Sequence, residues 1–237
     1  MPSTITSQNW DSVTAPALPT GWTYDANYTT DTAFSVSSPN SLKFTGATGG
    51  RTAYYSTQDA NSGNVQISAK MTTNATGGSM RLFCRATATP TGTSGTYYYV
   101  NITVGSGLTF NRRVVGAGTV LVTALGAAAF AINTTYYVQL ITNGTLMTVN
   151  VQRVSDSNWL TSAGAWQAGV TSCVSITNTG IAAAVGWAGV AVSTGLTTNV
   201  INFDDVLFES LASAVLPPLP FPMLAARQQN IFALDIC

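Results

Sequence analysis

TTYYVQLITNGTLMTVNVQR, residues 134–153, carries a strand, a turn and a second strand in one run. Asn143-Gly144 are the two residues that a type I′ turn favours, because both central positions need positive φ. With those two at the tip, Thr142 faces Thr145, Leu140 faces Met147, Val138 faces Val149 and Tyr136 faces Val151, all on one side of the pair. That side is the core face. The other side collects Ile141 with Leu146, Gln139 with Thr148 and Tyr137 with Asn150, which is mostly polar. The hairpin therefore belongs to an antiparallel sheet buried on one face. A slip of one residue would turn Gln139 and Thr148 inward.

The same period of two extends in both directions. Val65, Ile67, Ala69 and Met71 alternate with Gln66, Ser68 and Lys70. Met80, Leu82 and Cys84 alternate with Arg81, Phe83 and Arg85, and Tyr98, Val100 and Ile102 alternate with Tyr97, Tyr99 and Asn101. An opening strand fits residues 3–10, and the Pro-punctuated loop 11–21 delivers Trp22. Ser38-Pro39-Asn40 marks a turn before a strand at 41–45, and further strands fit 107–114 and 118–124. Residues 159–179 are irregular, and β-rich runs return at 185–192 and 200–208. No helix of ordinary length has a good amphipathic pattern before residue 212. About a dozen short strands with turn signals between them predict an all-β chain, a two-sheet antiparallel jelly-roll sandwich over residues 1–212.

Charged residues make up 8% of the chain, against about 25% in an average soluble domain. The polar surface is hydroxyl and amide. Nine basic and nine acidic residues cancel, so no basic stripe can track a phosphate backbone, which excludes nucleic acid and disfavours an anionic membrane surface. The uncharged run from Val114 to Ile132 contains Thr119-Val120-Leu121-Val122-Thr123, which reads as a strand, not a spanning helix. The opening MPSTITSQNWDSV has neither a positive nor an apolar region of the secretory kind. Cys84, Cys173 and Cys237 lack metal spacing, and an odd count argues against a disulfide framework. Five Asn-X-Thr sequons are what a Thr- and Asn-rich composition yields.

The order NTTYYVQL, Asn-Gly, TLMTVNV, a Trp-containing loop, VGWAGVAV and NFDDVLF resembles the second half of the concanavalin A-like, or laminin-G-type, jelly rolls. It covers residues 133–209, with a weaker echo in the first half. The resemblance implies a lectin-like sandwich, a shape shared by sugar-binding modules, glucanases, adhesion domains and viral surface proteins. It does not by itself assign an activity.

Enzyme readings fail on inventory. The chain has no histidine, which removes imidazole bases and triads. The glucanases of this fold need two glutamates flanking an aspartate on one strand, and a retaining mechanism needs two carboxyls about 5 Å apart. Glu209 is the one glutamate. Asp204 and Asp205 are adjacent, and neighbours on a regular strand point to opposite faces. Asp11, Asp204 and Asp205 are weak calcium candidates, because many jelly-roll modules hold a structural ion between first and last strands. The competing reading is that Asp204 or Asp205 accepts backbone N–H bonds and closes the sandwich. No other cofactor is expected.

The outward face of strands 79–85 and 97–103 gathers Arg81, Phe83, Arg85, Tyr97, Tyr99 and Asn101. Rings beside fork-shaped donors suit the apolar faces and hydroxyls of a sugar. They suit a protein interface equally, and an ordinary exposed sheet is the third reading. Trp159, Trp166 and Trp187 read as core or loop anchors.

Residues 213–237, SAVLPPLPFPMLAARQQNIFALDIC, break the β pattern. Leu216, Leu219, Phe221, Met223, Leu224, Ile231, Phe232 and Leu234 make this Pro-rich segment too apolar for a free linker, so it is expected to be a docking arm. A hydroxyl-rich, charge-poor exterior, no export signal and an apolar arm fit a virion protein assembled in the host cytoplasm and displayed on the virion surface. The expected function is a non-enzymatic bacteriophage structural protein, either a capsid decoration or cement protein or a surface-displayed adhesion protein. Its partners would be other virion proteins or copies of itself, and a surface glycan. The alternative is an extracellular carbohydrate-binding adhesion module of a secreted or cell-surface protein.

Overall fold

A computed structural model describes residues 3–14, 17–24, 34–37, 40–47, 51–57, 63–87, 95–182, 184, 186–192 and 196–211. The arm, residues 213–237, with its eight apolar anchors, lies outside the described residues. The described chain is all β, in two antiparallel sheets. The first sheet runs in the order β14 (Trp166–Gln167), β13 (Asn158–Leu160), β12 (Leu146–Arg153), β11 (Tyr136–Asn143), β6 (Val65–Thr73), β17 (Leu196–Ser210), β4 (Ser41–Ala47), β3 (Phe34–Ser37). The opening strand β1 (Ser3–Gln8) pairs with the second half of β17, and β15 (Val174–Thr177) pairs with the start of β12. The second sheet is β10 (Ala117–Leu125), β9 (Gly107–Val114), β8 (Tyr97–Thr103), β7 (Ser79–Ala86), β16 (Trp187–Val192), β5 (Arg51–Tyr55), β2 (Trp22–Tyr24). The late strands β16 and β17 are inserted between early ones, which makes this a jelly roll and not a meander. Among the described residues no helix is long and apolar enough to cross a membrane.

Alternation sets the core. Val65, Ile67, Ala69, Met71, Met80, Leu82, Cys84, Tyr98, Val100, Ile102, Tyr136, Val138 and Leu140 are all fully buried between the sheets. Loop 11–21 joins Trp10 to Trp22, whose rings meet at 5.1 Å inside the core. The irregular stretch 159–179 holds only the short strands β13 to β15. Trp166, in β14, stacks on Tyr136 at 5.8 Å, with the Arg153 guanidinium 4.9 Å from its ring centre.

The organising hairpin keeps its faces but not its register. Asn143 pairs with Leu146, Thr142 with Met147, Leu140 with Val149, Val138 with Val151 and Tyr136 with Arg153. Every partner differs by two residues from the expected one, and a shift of two leaves each side chain on its original face. The turn residues are Gly144 and Thr145, with positive φ at Gly144 (58°), the first central position, as a type II′ turn requires. Tertiary contacts choose it. Asn64 Oδ1 accepts from Gly144 N at 2.8 Å, Arg85 Nη2 donates to Gly144 O at 2.7 Å, and β15 pairs Thr177 with Leu146.

Two of the bulges among the described strands redirect charged side chains. In β7, Phe83 pairs with Gly189 and Ala86 with Trp187, so one extra residue is accommodated, and Arg85 takes φ 53°. Arg85 therefore turns inward instead of outward. It is 1% exposed, and its Nε donates to Gly63 O at 2.6 Å. In β17, Asp204 pairs with Lys70 and Leu207 with Ser68, with Asp205 at φ 47°. The bulge cancels the expected divergence of the two aspartates.

Candidate ligand-binding face

The outer face of the second sheet is built from registered rows. Tyr54, Gly189, Phe83, Tyr99, Asn111 and Val120 stand side by side across six strands, and Thr52, Ala191, Arg81, Asn101 and Thr109 form the next row. Gly189 is needed where it is, because a Cβ there would lie 2.8 Å from the Phe83 ring and 2.2 Å from Ala53 O. The rings of Phe83 and Tyr97 approach to 5.4 Å, those of Tyr97 and Tyr99 to 5.7 Å, and Tyr54 meets Trp187 at 6.4 Å. Tyr54, Phe83, Ala86, Tyr97 and Ala191 thus form a second apolar cluster outside the main core, with Tyr99 and Trp187 half-buried at its margin.

A polar strip borders this cluster. The Arg81 guanidinium sits 5.1 Å from the Tyr99 ring centre, and its Nε donates to Asn101 Oδ1 at 2.8 Å. Asn101 Nδ2 donates in turn to Thr103 Oγ1 at 3.0 Å, which also bonds Ser79 Oγ at 2.7 Å. Burial pulls the Arg81 pKa below its ordinary value, and arginine still carries its charge at neutral pH. On the other flank, Arg113 Nη1 donates to Tyr97 OH at 3.2 Å. A half-buried ring with a cation on its face and amide and hydroxyl groups alongside can stack on an apolar sugar face while bonding its hydroxyls.

Of the six residues expected on this face, Arg81, Phe83, Tyr97, Tyr99 and Asn101 stand together on it and Arg85 does not. Phe83 is 1% and Tyr97 6% exposed, so these two support the surface and do not present it. Arg81, Tyr99 and Asn101 are the half-buried, reachable members. Trp187 and Tyr54 also belong here, although Trp187 had read as a core or loop anchor. Its sequence signal was the alternation in β16, where Ala188, Val190 and Val192 go inward and Trp187, Gly189 and Ala191 outward.

The carboxylates of the described strands are engaged elsewhere. Gln66 Nε2 donates to Glu209 at 2.9 Å. Asp205 pairs with Lys70 Nζ at 2.5 Å, while Asp204 accepts from the neighbouring Asp205 N at 2.8 Å, a local contact within β17. Burial pushes the Asp204 carboxyl above its ordinary value. Asp11 accepts from Asn9 Nδ2 at 2.8 Å, at the surface. Among the described residues no three Asp, Glu, Cys or His side chains gather as a metal-ligand set.

No family model and no curated protein matches the chain. Solved structures do. The carbohydrate-binding module CBM66 from Bacillus subtilis superposes with a TM-score of 0.55 at 14% identity, over 81% of this chain and 96% of its own. Arcelin-5, a lectin-like defense protein from Phaseolus vulgaris, gives 0.56 at 12%, over 87% and 98%. The CBM2 module of the evolved Dit of Lactobacillus casei BL23 phage J-1 gives 0.51 at 14%, over 88% and 96%. β-Glucanases share the fold as well. The chain therefore has the lectin-like, concanavalin A-type jelly roll that the order of its motifs resembled, and at these identities the likeness is one of fold alone.

Proposed function

We propose that the protein is a non-catalytic, carbohydrate-binding surface protein of a bacteriophage virion. The observation that carries the glycan reading is the Arg81, Tyr99 and Asn101 strip on the outer sheet face, where one guanidinium sits over the ring and donates to the amide. The folds it resembles include sugar-binding modules, one of them in a phage Dit. A neutral, hydroxyl-rich exterior suits display outside the cell, and the apolar sequence of residues 213–237 suits attachment to a particle without charge pairing. On this reading the sandwich is the displayed unit, and the arm is the tether of a decoration or adhesion protein. The non-catalytic part rests on the missing histidine and on the engagement of Glu209 by Gln66.

The test is retention on immobilised host-cell polysaccharide. Wild type is retained, and Tyr99→Ala loses at least tenfold in affinity, about 1.4 kcal/mol, without loss of melting temperature. Equal retention of the two proteins refutes the strip. Glycan turnover that vanishes in Glu209→Gln refutes the non-catalytic reading. Co-sedimentation with capsids separates the virion protein from a free cell-surface module.

A further inference from the structure

The charges of this neutral chain are unevenly placed. Of its nine basic residues five, all arginines (Arg51, Arg81, Arg85, Arg112 and Arg113), lie on described strands of the second sheet, and of its nine acidic residues none does. The described strands of the first sheet set Lys43, Lys70 and Arg153 against Asp204, Asp205 and Glu209. The zero net charge hides this difference.

Three of the five arginines do not serve the outer face. Arg51 and Arg85 are 2% and 1% exposed, and Arg112 stands level with Tyr98 on the core side of β9. Arg81 and Arg113 remain, on the two flanks of Tyr97 and Tyr99. Arg113 directs Nε to Gly116 O and Nη1 to Tyr97 OH, both at 3.2 Å. Arg81 engages Nε alone, on Asn101 Oδ1 at 2.8 Å. Among the described residues its Nη groups donate to no partner, and they are not sealed from solvent.

A half-buried cation has lost part of its water and calls for a counter-charge. Arg81 lacks one among the described residues. Burial disfavours its charge most, the like charge of Arg113 adds to that, and the groups that favour it are the phenols of Tyr99 and Tyr97, not carboxylates. The missing counter-charge is therefore a property of the site that a ligand would complete.

We propose that the glycan taken up by this strip is an acidic polysaccharide with carboxylates on its sugar rings, and that Arg81 receives the carboxylate through its Nη groups. The proposal rests on the glycan reading above and adds the class of sugar. A guanidinium fork matches a planar carboxylate with two parallel hydrogen bonds. A carboxylate fixed directly to a ring lets one sugar unit rest against Tyr99, place hydroxyls at Asn101 and meet Arg81 at its edge. A sulfate ester hangs from the ring through an oxygen and presents a tetrahedral group, a poorer match to the fork. Arg113, on the far flank, extends the positive field along the strip toward further units of the same chain.

The experiment measures retention of the full chain on four immobilised polymers: polygalacturonate, its methyl ester, dextran and dextran sulfate. Wild type binds polygalacturonate at least tenfold tighter than the methyl ester, which keeps the backbone and removes the charge. Arg81→Gln lowers binding of the free acid to the level of the ester, with unchanged circular dichroism and melting temperature. Arg81→Lys, which restores the charge without the fork, recovers only part of the loss. Equal wild-type binding to free acid and ester, weakened on both by Tyr99→Ala, overturns the acidic class and leaves the glycan reading standing. Dextran sulfate bound as tightly as polygalacturonate overturns the carboxylate. Retention on none of the four overturns the proposal, while retention on host-cell polysaccharide still decides the glycan reading by itself. Should Arg81→Gln fail to fold, competition on wild type replaces it: soluble oligogalacturonate displaces the protein from polygalacturonate and its methyl ester does not, and equal displacement by the two overturns the proposal.

Discussion

Replacing Arg85 with Met removes a buried donor fork while keeping the length of the side chain. In the folded protein Arg85 ties two turns together across the sandwich. Its Nε reaches Gly63 O at 2.6 Å, and its Nη2 reaches Gly144 O at 2.7 Å. Hydrogen bonds from a charged group contribute about 1.5–3 kcal/mol each, so the pair sums to about 3–6 kcal/mol. The lower end applies, because Gly63 O keeps a second donor, Thr142 Oγ1 at 2.7 Å. Against a total stability of about 5–15 kcal/mol, a loss of about 3 kcal/mol lowers the urea midpoint by about 1–1.5 M at a slope of about 2–3 kcal/mol per M. The assay is equilibrium unfolding followed by tryptophan fluorescence, with Arg85→Ala alongside to expose the further loss from the emptied stem volume. An Arg85→Met midpoint equal to wild type would refute the inward placement. An arginine on the outer face, as simple alternation had it, would instead leave stability alone and weaken ligand binding.

Tyr97→Ala and Tyr99→Ala part company: Tyr97 is buried in the outer cluster and its loss costs about 3–5 kcal/mol, whereas Tyr99→Ala folds normally and loses polysaccharide retention, and paired melts and retention assays check both. Gly144→Val forces positive φ on a β-branched residue and lowers stability on the order of 1 kcal/mol or more; a Cβ there meets nothing within 4 Å, so an unchanged melt would contradict the turn. Burial pushes the Cys173 thiol up to about 12 from 9.0. Above pH 9 the unfolded chain releases this proton while the folded chain holds it, so stability falls as pH rises. Between pH 8 and pH 10 wild type loses about 1.4 kcal/mol more than Cys173→Ala, measured by urea unfolding at the two pH values.

Which face each strand buries was readable from the sequence alone. Period-two alternation is a property of single strands and needs no knowledge of their neighbours, and for Val65 to Met71, Met80 to Cys84 and Tyr98 to Ile102 it placed the core. The order of motifs around the Asn143-Gly144 dipeptide likewise pointed to the jelly roll. The tertiary structure decided what depends on distant partners. The hairpin register moved by two residues because Asn64, Arg85 and β15 hold Gly144 and Leu146, and alternation is blind to a shift that preserves faces. Arg85 went inward and Asp205 came to pair with Lys70 on the same side as Asp204 because the strands beside them are one residue shorter through those regions, which forces a bulge that local sequence does not announce. The outer cluster was half legible for the same reason. Tyr97, Tyr99, Phe83 and Arg81 announced a face, but Gly189 beneath Phe83 and Trp187 beside Tyr54 joined it only when β16 was inserted between β7 and β5. The strands of that cluster lie a hundred residues apart in the chain, and their side chains meet only because burying both sheets' inner faces against each other fixes the order of strands across the sandwich.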